Sequence, residues 1–324
     1  MRHLLRRAVH AILVLLGVSI LTFLFTTLAP GNYFDEMRLN PNISRETLAA
    51  LRAEYDLDKP LPFRYARWVN SVLHGELGYS FAYNTPVAPL IRIRARNTLI
   101  LSLTATFFGW ALALPLGIWS AAQLGRTPDR ILSWSSALLL SIPDVTIALA
   151  FLVFAVRTRM FPAGGMVSLN FNDLSVLGKL GDLVLHMFLP VSVLVLSILP
   201  VLLRHVRSSV ADALDAPFLR AAEGHGISRI RLLWRYALPA AANPLISLFG
   251  YTLGTLLSAS LLIEIIMSWP GLGPLLLEAI LARDLYVVVG GVLLSTVFLV
   301  AGNFVADVLL YWSDPRIRTA PAAS

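Results

Sequence analysis

Residues whose types and spacing could carry out catalysis are rare in this chain. Its six histidines are scattered, and neither an H-E-x-x-H pattern nor another paired spacing of metal ligands occurs. A G-x-x-x-x-G-K-S/T phosphate loop and a G-x-S-x-G nucleophile motif are also missing, and the chain has no cysteine. The sequence therefore predicts that the chain is not an enzyme and holds no metal or cofactor of its own.

One polar stretch instead has the composition of a protein-docking segment. It lies between two long apolar segments and consists of Arg220, Ala221, Ala222, Glu223, Gly224, His225 and Gly226. Small side chains suit a short helix whose backbone a second protein approaches closely, and Gly226 supplies a position at which the chain can turn sharply. Leu238 and Pro239 follow, and a proline is tolerated in the first turn of the next helix. The alternative is a basic amphipathic connector that lies on anionic lipid.

Three polar residues inside apolar segments are candidates for a path through the membrane. They are Ser141, Asp144 and Asn303, and ionisable groups in such segments are costly and usually functional. Asp144 follows Pro143, which removes an intrahelical hydrogen bond, so Asp144 either lines a wet path or caps a broken helix. Asn303 could also hydrogen-bond between helices. Glu264 lies near the end of a span, where we expect it to be solvated at the membrane interface.

The composition determines which elements must position these residues. The chain is 57% hydrophobic and 14% charged, with a mean hydropathy of +0.72, which is typical of an integral membrane protein. Continuous apolar runs exclude a transmembrane barrel and predict an all-α protein of about six spanning helices, each of about 20 residues. The candidate spans are Ala8–Leu28, Thr98–Leu124, Ile131–Val156, Leu183–Leu203, Pro239–Ile263 and Tyr286–Tyr311. Glycines within them are expected to allow close helix packing, and they are Gly109, Gly117, Gly250 and Gly254.

The placement of arginines predicts the orientation of these helices. Most arginines lie before the first span, in the loops after the second and fourth spans, and after the last span. The positive-inside rule makes that side cytoplasmic, so both termini are predicted to be cytoplasmic. The net charge of +7 is then explained by the headgroups of the lipid bilayer, and no nucleic-acid partner is expected. Arg92, Arg94 and Arg96 fall on the outer side, at the end of a long segment in which charge influences topology only weakly.

The spans divide the chain into four predicted parts. They are an N-terminal transmembrane helix at 1–29, an external insert at 30–96, a five-helix core at 97–318 with a cytoplasmic loop at 204–238, and a tail at 319–324.

The external insert is too long to be an ordinary structureless loop. One helix is predicted to end at Glu54 and to begin either at Ser44 or at Thr47. A second is predicted over Phe63–Leu73, followed by a turn at His74–Gly78. The insert would therefore be a small helical layer on the outer membrane surface. It either serves for spacing and packing or contacts a delivering protein.

The order of several short motifs resembles one family of membrane proteins. The stretch Phe218–Ile227, followed by Trp234–Pro239, is similar to the cytoplasmic "EAA" loop in the permeases of binding-protein-dependent ABC importers. Further motifs resemble the dipeptide, oligopeptide and nickel branch of these permeases, and they are Leu57–Pro60, Gly75–Ser80, Phe161–Gly165, Trp269–Gly273 and Asp314–Arg318. Each motif alone is unspecific, whereas their order along one chain is a strong signal.

The resemblance implies a permease subunit that forms the translocation path of an ATP-driven importer in the bacterial inner membrane. Di- and oligopeptides are the implied substrates, with nickel chelates or glutathione as alternatives. An external solute-binding protein would deliver the substrate, and a second homologous permease would complete the path. Separate cytosolic ATPase subunits would bind ATP and Mg²⁺. The stretch from Arg220 to Gly226, with Leu238 and Pro239, would form the coupling segment that docks on an ATPase.

The chain departs from the family pattern at one position of this loop. Arg220 fills the place of the acidic residue, and Glu223 follows three residues later. Arg220 would therefore face an acidic patch on the ATPase or extend to lipid headgroups. A secondary transporter or a channel is the alternative from a different class. That alternative predicts charge relays deep in several helices or inverted repeats, and neither is evident in the sequence.

Overall fold

The computed structural model describes residues 2–28 and 59–313, with side chains from Arg7 onward. The described part is predominantly helical, which confirms the all-α prediction. The helix predicted from Ser44 to Glu54 and the motif Asp314–Arg318 lie outside the described residues. The elements in chain order are α1 (Arg2–Leu28), α2 (Leu61–Leu73), β1 (Tyr79–Ser80), β2 (Thr85–Pro86), α3 (Val87–Ala122), α4 (Thr127–Leu140), α5 (Asp144–Thr158), a 3-10 turn (Phe171–Asp173), α6 (Val176–Leu214), α7 (Pro217–Gly224), α8 (Arg229–Leu232), a π-helical turn (Leu233–Ala237), α9 (Leu238–Ala240), α10 (Ala242–Ile266), α11 (Leu272–Leu281) and α12 (Leu285–Ser313).

By length and composition, five of the described helices could cross a membrane, namely α1, α3, α6, α10 and α12. The predicted third span, Ile131–Val156, is not one continuous helix. It is divided into α4 and α5, which are bent by 91° at the break between them. Pro143 lacks an N–H donor and has an extended backbone (φ −60°, ψ 141°), so the helix cannot continue through it. The third predicted span is therefore a bent pair of helices, and the break lies at Pro143, where the sequence predicted an interrupted helix.

The long helices extend beyond the predicted hydrophobic segments. α3 begins at Val87, inside the predicted insert at 30–96, and α6 passes both ends of Leu183–Leu203. An α-helix rises about 1.5 Å per residue, so α3 with 36 residues and α6 with 39 residues are longer than a hydrocarbon layer of about 30 Å. Both helices therefore carry polar residues beyond the ends of the hydrocarbon layer.

The chain divides into two compact units that differ from the predicted parts. The first unit comprises Met1–Leu99 and Trp269–Phe298, and the second comprises Ile100–Ser268 and Leu299–Ser324. α11 and the first part of α12 thus belong with the N-terminal segment, although the sequence placed them in the core of residues 97–318.

In the first unit, aromatic side chains fix α2 against α1. The ring of Phe23 lies 5.5 Å from that of Tyr65 and 5.9 Å from that of Trp68. The hydroxyl groups of Ser19 and Tyr65 are 2.8 Å apart and hydrogen-bonded. Trp68 also donates from Nε1 to the carbonyl of Leu77 at 3.1 Å, which ties α2 to the predicted turn that follows it. The helix predicted over Phe63–Leu73 is thereby confirmed as α2.

The β-hairpin of the first unit is held by two carboxylates. Ser80 Oγ donates to Asp284 Oδ2 at 2.7 Å, and Asp284 Oδ1 accepts a weaker bond of 3.4 Å from the N–H of Val287, in the first turn of α12. The hydroxyl of Tyr83 donates to Glu278. Burial and this hydrogen bond raise the pKa of Tyr83 to about 12. The start of α12 and the end of α11 are therefore both anchored to the hairpin.

In the second unit, glycines allow the long helices to approach closely. A Cβ atom on Gly109 would lie 2.6 Å from Ile198 Cδ1, and one on Gly117 would lie 2.7 Å from Val206 Cβ. Both distances are too short for a methyl group, so α3 and α6 pack as closely as they do only because these positions are glycine. The same applies to α10 and α12 at the contacts of Gly250 with Ala306 and Gly254 with Leu299. The close packing predicted for these glycines is confirmed.

Glu264 does not lie at a solvated interface as predicted. Its side chain has no exposed surface, and it lies in the last turn of α10. Closeness to a helix end in the sequence does not show whether headgroups or other parts of the protein cover that end. Here the protein covers it, and the interfacial interpretation is corrected.

Candidate functional site

The stretch singled out in the sequence forms the short helix α7 and its C-terminal turn. Pro217 occupies the first turn of α7, where its missing N–H has no intrahelical partner to lose. Beyond the helix, the N–H of Gly226 donates to Glu223 O at 2.9 Å and that of Ile227 donates to Ala222 O at 3.4 Å. This pair of bonds is a Schellman motif, which requires one residue in the left-handed (αL) backbone conformation. Gly226 provides it, with φ of +80°.

One side of α7 packs on the turn region that follows it. Leu219 is buried with Leu232 and Ala237, and Ala222 and Ile227 pack at the edge of this cluster. The contact of Ile227 with the helix completes the apolar part of the Schellman motif. The orientation of α7 is thus determined by Leu219 on the inside and by Gly226 at its end.

The other side of α7 is exposed. Phe218 keeps 54% of its surface exposed. Arg220, Ala221, Glu223 and Gly224 are also exposed, whereas Ala222 is half-buried. The two alanines therefore face different surroundings, and only Ala221 lies on the accessible side. The sequence prediction included Ala221 and omitted Phe218, although two adjacent apolar residues on a short helix indicate that one of them faces outward.

Arg220 pairs within its own loop. Its Nη2 donates to Asp215 Oδ1, and both side chains are mostly exposed, at 64% and 77%. The expectation that Arg220 faces an ATPase or extends to headgroups did not include this partner. Such an exposed pair stabilises the fold by at most about 1 kcal/mol.

Leu238 and Pro239 lie in a short irregular connection. A π-helical turn precedes them, α9 contains them, and α10 begins only at Ala242. Leu238 is half-buried against the core of the second unit, whereas Pro239 is exposed. They therefore precede the next long helix rather than forming its first turn.

Two arginines of the predicted loop at 204–238 contact the ends of other helices. Arg229 Nη2 donates to the carbonyl of Ala122 at 3.1 Å, at the C-terminus of α3, where a cation is favourable. The second contact centres on Asp129, which is buried in the first turn of α4. Ser120 Oγ donates to its Oδ1 at 2.6 Å, and the Gly125 N–H donates to its Oδ2 at 2.8 Å. Arg207 of α6 completes the set with a two-point contact, its Nη2 lying 2.9 Å from Oδ2.

The three residues predicted for a translocation path are all exposed. Ser141 donates to the carbonyl of Ala137 at 2.9 Å, and Asp144 lies in the first turn of α5, where a negative charge is favourable. Asn303 lies on α12. Within the described residues, no hydrogen bond joins Asn303 to Ser141 or Asp144. A role in transport therefore stays a prediction for each of them.

The described part of the chain has no group of three or more His, Cys, Asp or Glu side chains that could hold a metal ion.

Comparisons with known proteins place the chain in a family. Residues 113–319 match the family described as binding-protein-dependent transport system inner membrane component, and residues 1–104 match the N-terminal part of such membrane components. The oligopeptide transport system permease protein AppB of Bacillus subtilis is 32% identical over 98% of this chain and 99% of its own length. The dipeptide transport system permease protein DppB of Escherichia coli K12 is 33% identical over 98% of this chain and 99% of its own.

A solved structure supports the fold. The MetNI methionine ABC transporter in inward-facing conformations is similar with a TM-score of 0.56, covering 69% of this chain and 96% of the matched chain at 18% identity. The chain therefore belongs to the family of binding-protein-dependent transport system inner membrane components. It is an ABC importer permease, and the predicted placement in the peptide branch of these permeases is confirmed.

Proposed function

We propose that this permease carries di- and oligopeptides across the bacterial inner membrane and that α7 is its coupling helix. The observation that supports this most strongly is the division of α7 into two sides. Leu219 holds one side on the protein, while Phe218 and Ala221 leave an apolar, small-residue side open. Burying an aromatic side chain contributes about 1.5–3 kcal/mol, so this side gains free energy when a partner covers it.

The partner that fits this surface is a cytosolic ATPase subunit of the same importer. ATP and Mg²⁺ belong to that subunit, and this chain supplies differential contact with its two states. A second homologous permease completes the translocation path, and an external solute-binding protein delivers the substrate. Closure of the ATPases would move α7 as a lever and shift the permeases between inward-facing and outward-facing states.

The docking side can be tested with two exposed positions. We expect Phe218→Ala and Ala221→Trp each to weaken retention of the ATPase subunits on the purified permease by about tenfold, or 1.4 kcal/mol. Phe63→Ala and Ala66→Trp are matched controls, because they have the same spacing on the exposed side of α2. Equal retention by all four variants would contradict docking on α7.

Substitutions at Gly226 test whether the backbone conformation of the loop is needed for coupling. A Cβ atom there would meet nothing within 4 Å, so any effect of substitution arises from its positive φ or from the partner. Gly226→Val should abolish stimulation of ATPase activity by the loaded binding protein without removing the permease from the membrane. Gly226→Asn should keep more of it, because asparagine tolerates the left-handed region. Full coupling in Gly226→Val would overturn the assignment of this loop.

The helical Gly224 is the matched control for Gly226. A Cβ atom on Gly224 also meets nothing within 4 Å, but its φ is not positive. Gly224→Ala should therefore leave coupling close to that of the natural sequence. If Gly224→Ala and Gly226→Ala reduce coupling equally, the loss reflects added bulk on the docking side and not the Schellman turn.

The substrate class rests on the names of the relatives, which are oligopeptide and dipeptide permeases. Uptake of labelled di- and oligopeptides by vesicles that contain the assembled importer tests it. Uptake of a nickel chelate or glutathione with no uptake of peptides would reject peptides as the substrate, and coupling through α7 would be unaffected.

A further inference from the structure

A groove on the first unit lies outside the proposed coupling function. It has a volume of about 580 Å³ and runs along α3 and the first part of α12. Its lining is mainly aliphatic and includes Leu99, Leu294 and Phe298, together with two arginines, Arg92 and Arg96. The groove is therefore apolar along most of its length and cationic in one part.

The two arginines are placed to share one anion. Arg92 and Arg96 are one helical turn apart, so their guanidinium groups lie on the same face of α3 and repel each other. Both are exposed, and neither forms a hydrogen bond or an ion pair with a described residue. Arg94 does not line the groove, because it lies two residues from each of them and therefore on a different face of α3. An anion between Arg92 and Arg96 would relieve their repulsion.

Along the helices, the two arginines lie nearer the hairpin than Leu294 and Phe298. Both helices begin at the hairpin, since Val87 directly follows β2 and Asp284, next to α12, bonds to Ser80 of β1. Where the helices touch, a Cβ atom on Gly290 would lie 2.8 Å from Ile91 Cδ1. Each further turn of α12 adds an apolar residue to the lining, first Leu294 and then Phe298.

The hydrophobic span predicted for α3 places both arginines at the depth of lipid headgroups. That span begins at Thr98, so Arg96 and Arg92 precede it by two and six residues. Leu99 then lies at the start of the hydrocarbon layer. Headgroup depth is where a phosphate meets an arginine, and acyl chains fill the adjacent apolar space.

We propose that this groove binds one anionic phospholipid. Its phosphate lies between Arg92 and Arg96, which offer the planar donors that suit phosphate oxygens. One acyl chain extends past Leu99 toward Phe298. A zwitterionic lipid binds more weakly, because its own cation competes with the two guanidinium groups for the phosphate.

The assembled importer, stripped of lipid in detergent, provides the test. Native mass spectrometry measures retention of added phosphatidylglycerol and phosphatidylcholine. We expect the natural sequence to retain phosphatidylglycerol preferentially, and Arg92→Gln/Arg96→Gln to bind it about tenfold more weakly, as expected for the loss of charged hydrogen bonds. Thermal unfolding without lipid shows whether the variant remains folded.

Charge-matched controls separate a site from general attraction. Arg157→Gln/Arg159→Gln removes the same charge from two exposed positions at the C-terminal end of α5, and it should leave retention unchanged. Arg94→Gln should do the same. An equal loss of phosphatidylglycerol retention in all these variants would show that the effect depends only on net charge, and it would overturn the proposal. Equal retention by Arg92→Gln/Arg96→Gln would overturn it as well.

Two further measurements test the apolar part of the groove. Phe298→Ser should lower retention of phosphatidylglycerol, and glycerol 3-phosphate should compete poorly because it has no acyl chain. Unchanged retention in Phe298→Ser, or efficient competition by glycerol 3-phosphate, would show that only a phosphate is bound.

A cross-linking experiment tests whether a protein covers the groove instead. The chain has no cysteine, so a single Ile93→Cys substitution reports a protein neighbour directly. A cross-link from that position to the second permease would show that protein, and not lipid, covers the groove.

Discussion

Two Arg–Asp pairs among the described residues of the second unit differ in what surrounds them. The Asp129 side chain in the pair with Arg207 is 3% exposed, whereas Arg220 and Asp215 are exposed at 64% and 77%. Asp129 also accepts from Ser120 and from a backbone N–H, so both of its oxygens are satisfied.

The comparison teaches that the two pairs have different uses. A buried carboxylate that loses its partners leaves an uncompensated charge, so the Asp129 contacts lock the start of α4 to α6. An exposed pair exchanges its partners for water at little cost. The exposed pair beside α7 can therefore open at little cost, whereas the Asp129–Arg207 pair holds α4 against α6.

Removing the buried carboxylate should have the largest effect. Asp129→Ala leaves Arg207, Ser120 and the Gly125 N–H without their acceptor, and we expect a loss of about 3 kcal/mol in the free energy of unfolding. Thermal unfolding of the purified importer measures this loss. Asp212→Ala is the control, since it removes the same charge from an exposed position of α6. Equal melting temperatures for the two variants would refute a locking role for Asp129.

Replacing Arg207 by lysine should have an intermediate effect. Arg207→Lys keeps the positive charge but loses the two-point contact with Asp129, and we expect it to cost about 1–2 kcal/mol. The same thermal measurement ranks it against Asp129→Ala. A loss as large as that of Asp129→Ala would mean that geometry, and not charge, accounts for the whole contribution of the pair.

Breaking the exposed pair should have the smallest effect on stability. Arg220→Ala and Asp215→Ala should each change the free energy of unfolding by less than about 1 kcal/mol, and added salt should reduce the difference further. Unfolding at low and high salt measures this. A larger change that is insensitive to salt would remove the distinction between the two pairs. Retention of the ATPase subunits by the Asp215→Ala variant then shows whether Arg220 contributes to docking without its ion-pair partner.

Much of the fold follows from local sequence. Continuous apolar runs predicted the long helices, and Gly109 and Gly250 marked where helices approach closely. Pro143 indicated a kink, but local sequence does not give the angle of 91° at the break, because packing of α5 against α6 and α10 determines it.

Only part of the candidate site could be predicted, because local sequence does not show how α7 packs. The composition of the loop indicated a short helix with a turn at Gly226, and α7 with its Schellman motif has that form. Phe218 and Leu219 are adjacent and both apolar, so composition does not tell which side chain is exposed. Burial of Leu219 against Leu232 decides it.

The sequence by itself determined the class of the protein. Partition into a bilayer depends on the apolar content of each segment, and the family motifs are short contiguous stretches of the chain. Only the tertiary structure decided which charges are buried. Asp129 and Arg207 are 78 residues apart in the chain, and no local pattern connects them. Glu264 lies at the end of an apolar run, and only the packing of neighbouring segments excludes it from the interface. Burial of a charge depends on distant residues, and these meet only after the helices have packed.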